Sequence, residues 1–167
     1  MLLWKYNKGK YILKFIGVMN MSEFLLDTNV IILLWKQHPF VIDRLIEEDK
    51  LKILREVSQE LISRKWKDYK KEGILSERFC KLLKCIIQVD ERNIKEFYRM
   101  LDLKYSSQDD SYFDNTEKLS ENDLLLLYAC YLDEKFILVT EDRYLYKTAK
   151  YILGSDRVIT VNMLVDN

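Results

Sequence analysis

Phe24-Leu25-Leu26-Asp27-Thr28-Asn29 constrains this chain more than any other stretch: an apolar triplet, an acid, two small polar residues, then the apolar run Val30 to Trp35. A run that short and apolar fits a strand buried on both faces of a parallel sheet, with a helix starting at once. Asp27 then sits at the carboxyl end of the strand, the edge where open α/β sheets bind ligands. The alternation recurs. Further strands are expected at Leu51–Leu54, Cys85–Val89, Phe136–Thr140 and Arg157–Val161. Between them, helices are expected from Val30 to near His38-Pro39, where proline disfavours helix at the residue before it. Others are expected over Phe40–Glu48, Arg55 to about Tyr69, Ser76–Leu83, Glu91 to Leu103, Ser120 to Asp133, and Tyr144–Ile152. Tyr105–Leu119 has no period and is rich in Ser, Asp and Asn, so it reads as a loop. Strands separated by helices give an α/β fold, a three-layer α/β/α sandwich with a mostly parallel central sheet of four to five strands.

Lys+Arg and Asp+Glu are equal at 27 each, which excludes a chain coated in positive charge. A polyanionic partner must be met by a local patch. Cys80, Cys85 and Cys130 are odd in number and lack CxxC spacing, against both a zinc site and a disulfide framework. Reduced thiols point to the cytoplasm. No segment reaches the roughly 18 apolar residues of a membrane span. Residues 1–20 carry Lys5, Lys8, Lys10 and Lys14 and no acid. Lys14 interrupts the apolar stretch Tyr11–Val18 and no small-residue cleavage site follows, which argues against a secretion signal. Met19 and Met21 lie just before the first strand. Residues 1–20 therefore read as a basic extension, from an upstream start or as an added arm, and 21–167 as one domain.

Four acids from separate places can meet. Asp27 ends the first strand, and Asp142 follows the fourth in Val139-Thr140-Glu141-Asp142. In a parallel sheet with right-handed connections both lie at one edge. Asp123 opens the helix leading into the fourth strand, and Glu60 lies one turn into the helix after the second. Carboxylates within about 4–6 Å raise one another's pKa. A divalent cation resolves the conflict. Mg²⁺ takes hard oxygen ligands, one or two carboxylates directly and others through its waters, and supports phosphodiester hydrolysis. Each acid also has a plainer reading. Asp27 and Thr28 could cap the next helix. Ser120-x-x-Asp123 fits a capping box with Asp in place of Glu. Glu60 could be a solvated helix charge, with Glu56 a rival four residues earlier, and Asp142 could begin a turn.

Taken together, Leu25-Leu26-Asp27-Thr28-Asn29, the pair Glu60-Leu61, Asn122-Asp123 opening an apolar helix with Ala129, and Ile137-Leu138-Val139-Thr140-Glu141-Asp142 resemble the pattern of the PIN-domain nucleases over about residues 22–165. The resemblance implies that Asp27, Glu60, Asp123 and Asp142 surround Mg²⁺ or Mn²⁺, with Glu60 acting through water. It gives Asn29 and Thr140 supporting roles and leaves Glu141 as an extra carboxylate. It implies cleavage of single-stranded RNA, and for many small relatives, the VapC-like group, a role as the toxin of a toxin–antitoxin pair. Arg143-Tyr144-Leu145 departs from the pattern, since many relatives have an Asp-Phe pair there. The segment Lys104–Leu119 is longer and more acidic than the pattern leads one to expect.

RNA requires positive charge. Residues 55–84 carry Arg55, Arg64, Lys65, Lys67, Lys70, Lys71, Arg78, Lys81 and Lys84, with Trp66 and Tyr69 interleaved. A phosphate-tracking face there would use Arg64, Lys65 and Lys67, and the plainer reading is a solvated helix with Trp66 packed inward. Residues 102–123 are anionic, a face for a basic antitoxin segment or a dimer mate. His38, the sole histidine, precedes Pro39 at a helix end and is given no catalytic role. Tyr128 and Tyr131 fit core or dimer-interface positions. Two other classes stay open. One is an aspartate-nucleophile phosphohydrolase, because a strand ending in Asp-x-Asn is similar to the Asp-x-Asp of the haloacid-dehalogenase fold while lacking its second acid. The other is a binding module that keeps the fold without chemistry.

Overall fold

A computed structural model describes residues 22–68, 77–101, 104–106, 111–113 and 118–166, with the backbone alone at 64–68, 104–106, 111–113 and 118. The basic extension 1–20 lies outside these residues. In chain order the elements are β1 (Glu23–Leu26), α1 (Thr28–Gln37), α2 (Pro39–Glu47), β2 (Leu51–Leu54), α3 (Arg55–Asp68), α4 (Glu77–Leu82), β3 (Ile86–Ile87) and α5 (Ile94–Met100). There follow β4 (Lys104–Ser106), β5 (Ser111–Phe113), β6 (Lys118–Leu119), α6 (Glu121–Leu132), β7 (Phe136–Val139), α7 (Arg143–Leu153), β8 (Val158–Ile159) and α8 (Val161–Val165).

The central sheet has the order β3-β2-β1-β7-β8, and every neighbouring pair is parallel. Strands covered on both faces must be apolar throughout, and the four residues of β7, Phe136-Ile137-Leu138-Val139, are all buried. β1 and β7 pair with Leu25 opposite Leu138 and Leu26 opposite Val139. The next residue of each strand, Asp27 and Thr140, therefore leaves the sheet beside the other. That register builds the site.

α6 explains itself by burial. Leu124 to Cys130 are buried without a break, so this helix is apolar all round, as a helix sunk between neighbouring elements must be. Each such leucine contributes roughly 1.5–3 kcal/mol of burial. Arg157 ties the end of α6 to β7: its guanidinium donates to the carbonyls of Phe136 at 2.9 Å, Cys130 at 2.8 Å and Asp133 at 3.0 Å. Among the described residues no helix is long and apolar enough to cross a membrane.

The structure corrects three local expectations. Tyr105–Leu119, expected as a loop, contains a three-stranded antiparallel sheet, β4-β5-β6, with Tyr105 opposite Tyr112 and Tyr112 opposite Leu119. Strands of two or three residues are too short to show a period of two, so the turn-forming Ser, Asp and Asn dominate the reading. The expected strand Arg157–Val161 shrinks to Val158–Ile159, because Thr160 accepts the Met163 amide at 3.5 Å and starts α8 at Val161. The strand expected at Cys85–Val89 is held to Ile86–Ile87, after a 3₁₀ turn at Leu83–Cys85.

Candidate active site

Asp27 is 7% exposed at the end of β1. It occupies the N-cap position of α1, where no amide meets its side chain in full capping geometry although those of Thr28 and Asn29 lie close enough to favour its charged form. Its Oδ2 accepts a hydrogen bond from the Thr140 hydroxyl at 3.3 Å. Burial pushes its carboxyl up to about 6, the charge of Asp123 adds to that and Glu60 adds less, while the Thr28 and Asn29 amides pull the other way. Thr140 is fully buried, and its hydroxyl also accepts the Asp142 amide at 3.1 Å. One hydroxyl thus sets the end of β1 against the turn after β7.

Glu60 reaches in from α3. Its Oε2 accepts from Thr28 Oγ1 at 2.8 Å and from Asn122 Nδ2 at 3.3 Å. Thr28 and Asn122 are the chain neighbours of Asp27 and Asp123, so this carboxylate joins the first turns of α1 and α6. Glu56, the rival, instead accepts from Arg55 Nε at 3.3 Å. Thr28 and Asn122 were not singled out for the site from the sequence, and their only signal was adjacency to the two acids.

Asp123 forms the full capping box. Ser120 Oγ accepts its amide at 3.1 Å, and Asp123 Oδ2 accepts the Ser120 amide at 2.9 Å and hydroxyl at 2.7 Å. Burial nevertheless raises its carboxyl above the ordinary value, helped by Asp142 and Glu60 and opposed by the Ser120 bonds. It is a helix cap that also faces the other acids. Asp142, exposed, caps α7 through Oδ1, which accepts the Tyr144 and Leu145 amides at 2.8 and 2.7 Å. Glu141 turns elsewhere: its Oε1 accepts the Val161 amide at 2.7 Å and starts α8. Asn29 is exposed in the first turn of α1. The side chains of Arg64, Lys65 and Lys67 lie outside the described residues.

The four acids form one electrostatic set, since Asp27 feels Asp123 and Glu60, and Asp123 feels Asp142 and Glu60. Among the described residues no three His, Cys, Asp or Glu side chains close on a point where all would hold one ion directly. A closed tetrahedral cage of the zinc kind is therefore not what these side chains build. The donors are all oxygen, and hydrogen bonds occupy Oδ2 of Asp123 and Oδ1 of Asp142, so each of these two keeps a second oxygen outside them. That set fits an ion of the Mg²⁺ or Mn²⁺ type, held by one or two carboxylates directly and by others through its waters.

The chain matches the family model for the PIN domain over residues 24–151. Its fold is similar to the crystal structure of PAE2754 from Pyrobaculum aerophilum, with a TM-score of 0.56 and 20% sequence identity, covering 87% of this chain and 95% of that one. No curated protein matches it. With the match spanning most of the sequence and the acids gathered where the sheet ends, the chain belongs to the PIN domain family, in general a family of metal-dependent nucleases.

Proposed function

We propose that this protein is a divalent-metal-dependent endoribonuclease that hydrolyses phosphodiester bonds of single-stranded RNA. The observation that carries the reading is Asp27, a buried carboxylate held up to about 6 among Asp123 and Glu60. Burying a carboxylate against like charges destabilises a fold unless a cation offsets it. Asp27, Asp123 and Asp142 are the residues that would hold Mg²⁺ or Mn²⁺, with Glu60 acting through water. When bound, such an ion polarises phosphate oxygen and lowers the pKa of water. The protein's own residues supply placement. Thr140 orients Asp27 and the Asp142 backbone, Glu60 locks Thr28 against Asn122, and Ser120 fixes Asp123. Residues 21–167 would form the nuclease domain, with 1–20 an added basic arm. A VapC-like toxin in the cytoplasm, paired with an antitoxin and acting as a homodimer, is the biological setting that the sequence resemblance supports.

The test is cleavage of labelled single-stranded RNA by the full chain with Mg²⁺ or Mn²⁺. Activity is expected to stop with EDTA and with Asp27→Asn, without a covalent intermediate. Metal-independent cleavage, or a phosphoryl group trapped on Asp27, would overturn the reading.

A further inference from the structure

The described cations around α3 and α4 are largely engaged within the protein. Arg55 meets Glu56 at 3.3 Å, Arg78 donates to the Trp35 carbonyl at 3.1 Å, and Lys81 pairs with Asp43 at 3.2 Å. α7 differs. Leu145 and Ala149 bury one side of it, and the opposite side presents Arg143, Lys147, Lys150 and Tyr151, all exposed. At 3.6 residues per turn these four fall within about 100° of arc, along a stripe of about 12 Å. The helix contains no acid. Among the described residues neither Arg143 nor Lys150 forms an ion pair or a side-chain hydrogen bond. Tyr151 is 92% exposed, more than any other large hydrophobic side chain among the described residues. The stripe begins beside Asp142, one of the four acids.

A set of carboxylates repels a polyanion, and the chain has no net charge to draw one in. Cations next to the acids can hold phosphates in place, and an exposed aromatic among them gives an unpaired base a surface to stack on. We propose that the outward stripe of α7 is the track on which single-stranded RNA lies as it reaches the acidic site, with Arg143, Lys147 and Lys150 on phosphates and Tyr151 under a base. The direction of the track rests on the nuclease reading. The binding does not.

The experiment measures anisotropy of a fluorescein-labelled single-stranded oligouridylate with the full chain in EDTA, across a range of salt. Loss of two phosphate contacts in the double variant Arg143→Gln, Lys150→Gln should flatten the slope of log affinity against log salt by about 1.4, weakening binding roughly ten- to thirty-fold near 0.1 M salt. Tyr151→Ala should weaken binding about tenfold with the salt slope unchanged. Lys95→Gln, on α5, should do neither. These side chains are exposed, and an unchanged thermal midpoint checks that the variants are folded. Unaltered binding or slope in the double variant would overturn the track while metal-dependent cleavage keeps the nuclease reading. Altered binding with no cleavage under any metal would overturn the nuclease reading and keep the track. Equal affinity for duplex DNA, or binding of polyglutamate in place of oligouridylate, would also overturn it, the latter in favour of an acidic protein partner.

Discussion

Asp27→Asn should make the metal-free protein more stable. The carboxyl of Asp27 is raised from 3.8 to about 6 in the folded chain. Raising it that far corresponds to about 3 kcal/mol that the ionised form costs the fold. The sign follows from linkage. Because the folded value lies above the unfolded one, the wild-type contribution is fully present below about pH 4 and is lost as pH rises through about 6. Asparagine keeps the shape and has no proton to lose. The variant's advantage should therefore be small near pH 4 and should plateau above pH 7 at up to about 3 kcal/mol, equivalent to roughly 6–12 °C in thermal midpoint for a chain of this size. The assay is thermal unfolding by circular dichroism in EDTA, wild type and variant side by side across pH. Mn²⁺ at about 1,000 times its Kd should then reverse the order, since it adds about 4.1 kcal/mol to the form that binds it, more than the gap. A gap that is absent at pH 8, a gap constant from pH 4 to 8, or equal stabilisation of both proteins by Mn²⁺ would rule out Asp27 as a buried, strained metal ligand.

Glu60→Gln should lower RNA cleavage roughly tenfold by removing one charge at the site, whereas Glu56→Gln, partner of an exposed arginine, should change it less than about twofold; initial rates with labelled RNA decide between them. Asp123→Asn keeps an oxygen for the Ser120 amide, so urea unfolding should shift by less than about 1 kcal/mol while cleavage falls on the order of 10²-fold; full activity would reduce Asp123 to a cap. Arg157→Met should destabilise by about 2–4 kcal/mol in urea unfolding, because the carbonyls of Cys130, Asp133 and Phe136 lose their charged donor.

The apolar runs Phe24–Leu26 and Phe136–Val139 were legible as strands, because a strand covered on both faces must be apolar whatever its neighbours are. Asp27 and Asp142 were legible as one edge for the same reason: parallel strands joined by helices end on the same side. The capping box at Ser120 is a contact between residues three apart, and it too could be read directly. What joins distant residues could not. Thr28 and Glu60 are 32 positions apart, Asn122 and Glu60 are 62, and Thr140 and Asp27 are 113. Whether Glu60 or Glu56 faces the acids depends on how α3 is rotated against α1 and α6, which its own residues do not encode. Glu141 Oε1 accepts the Val161 amide 20 positions on, a contact set by the packing of α8. Patterning, strand ends and the caps at Asp123 and Asp142, which are local chemistry, decided the sheet and the edge where the acids gather; tertiary packing alone decided that Glu60 joins Thr28 to Asn122 and that Thr140 holds Asp27.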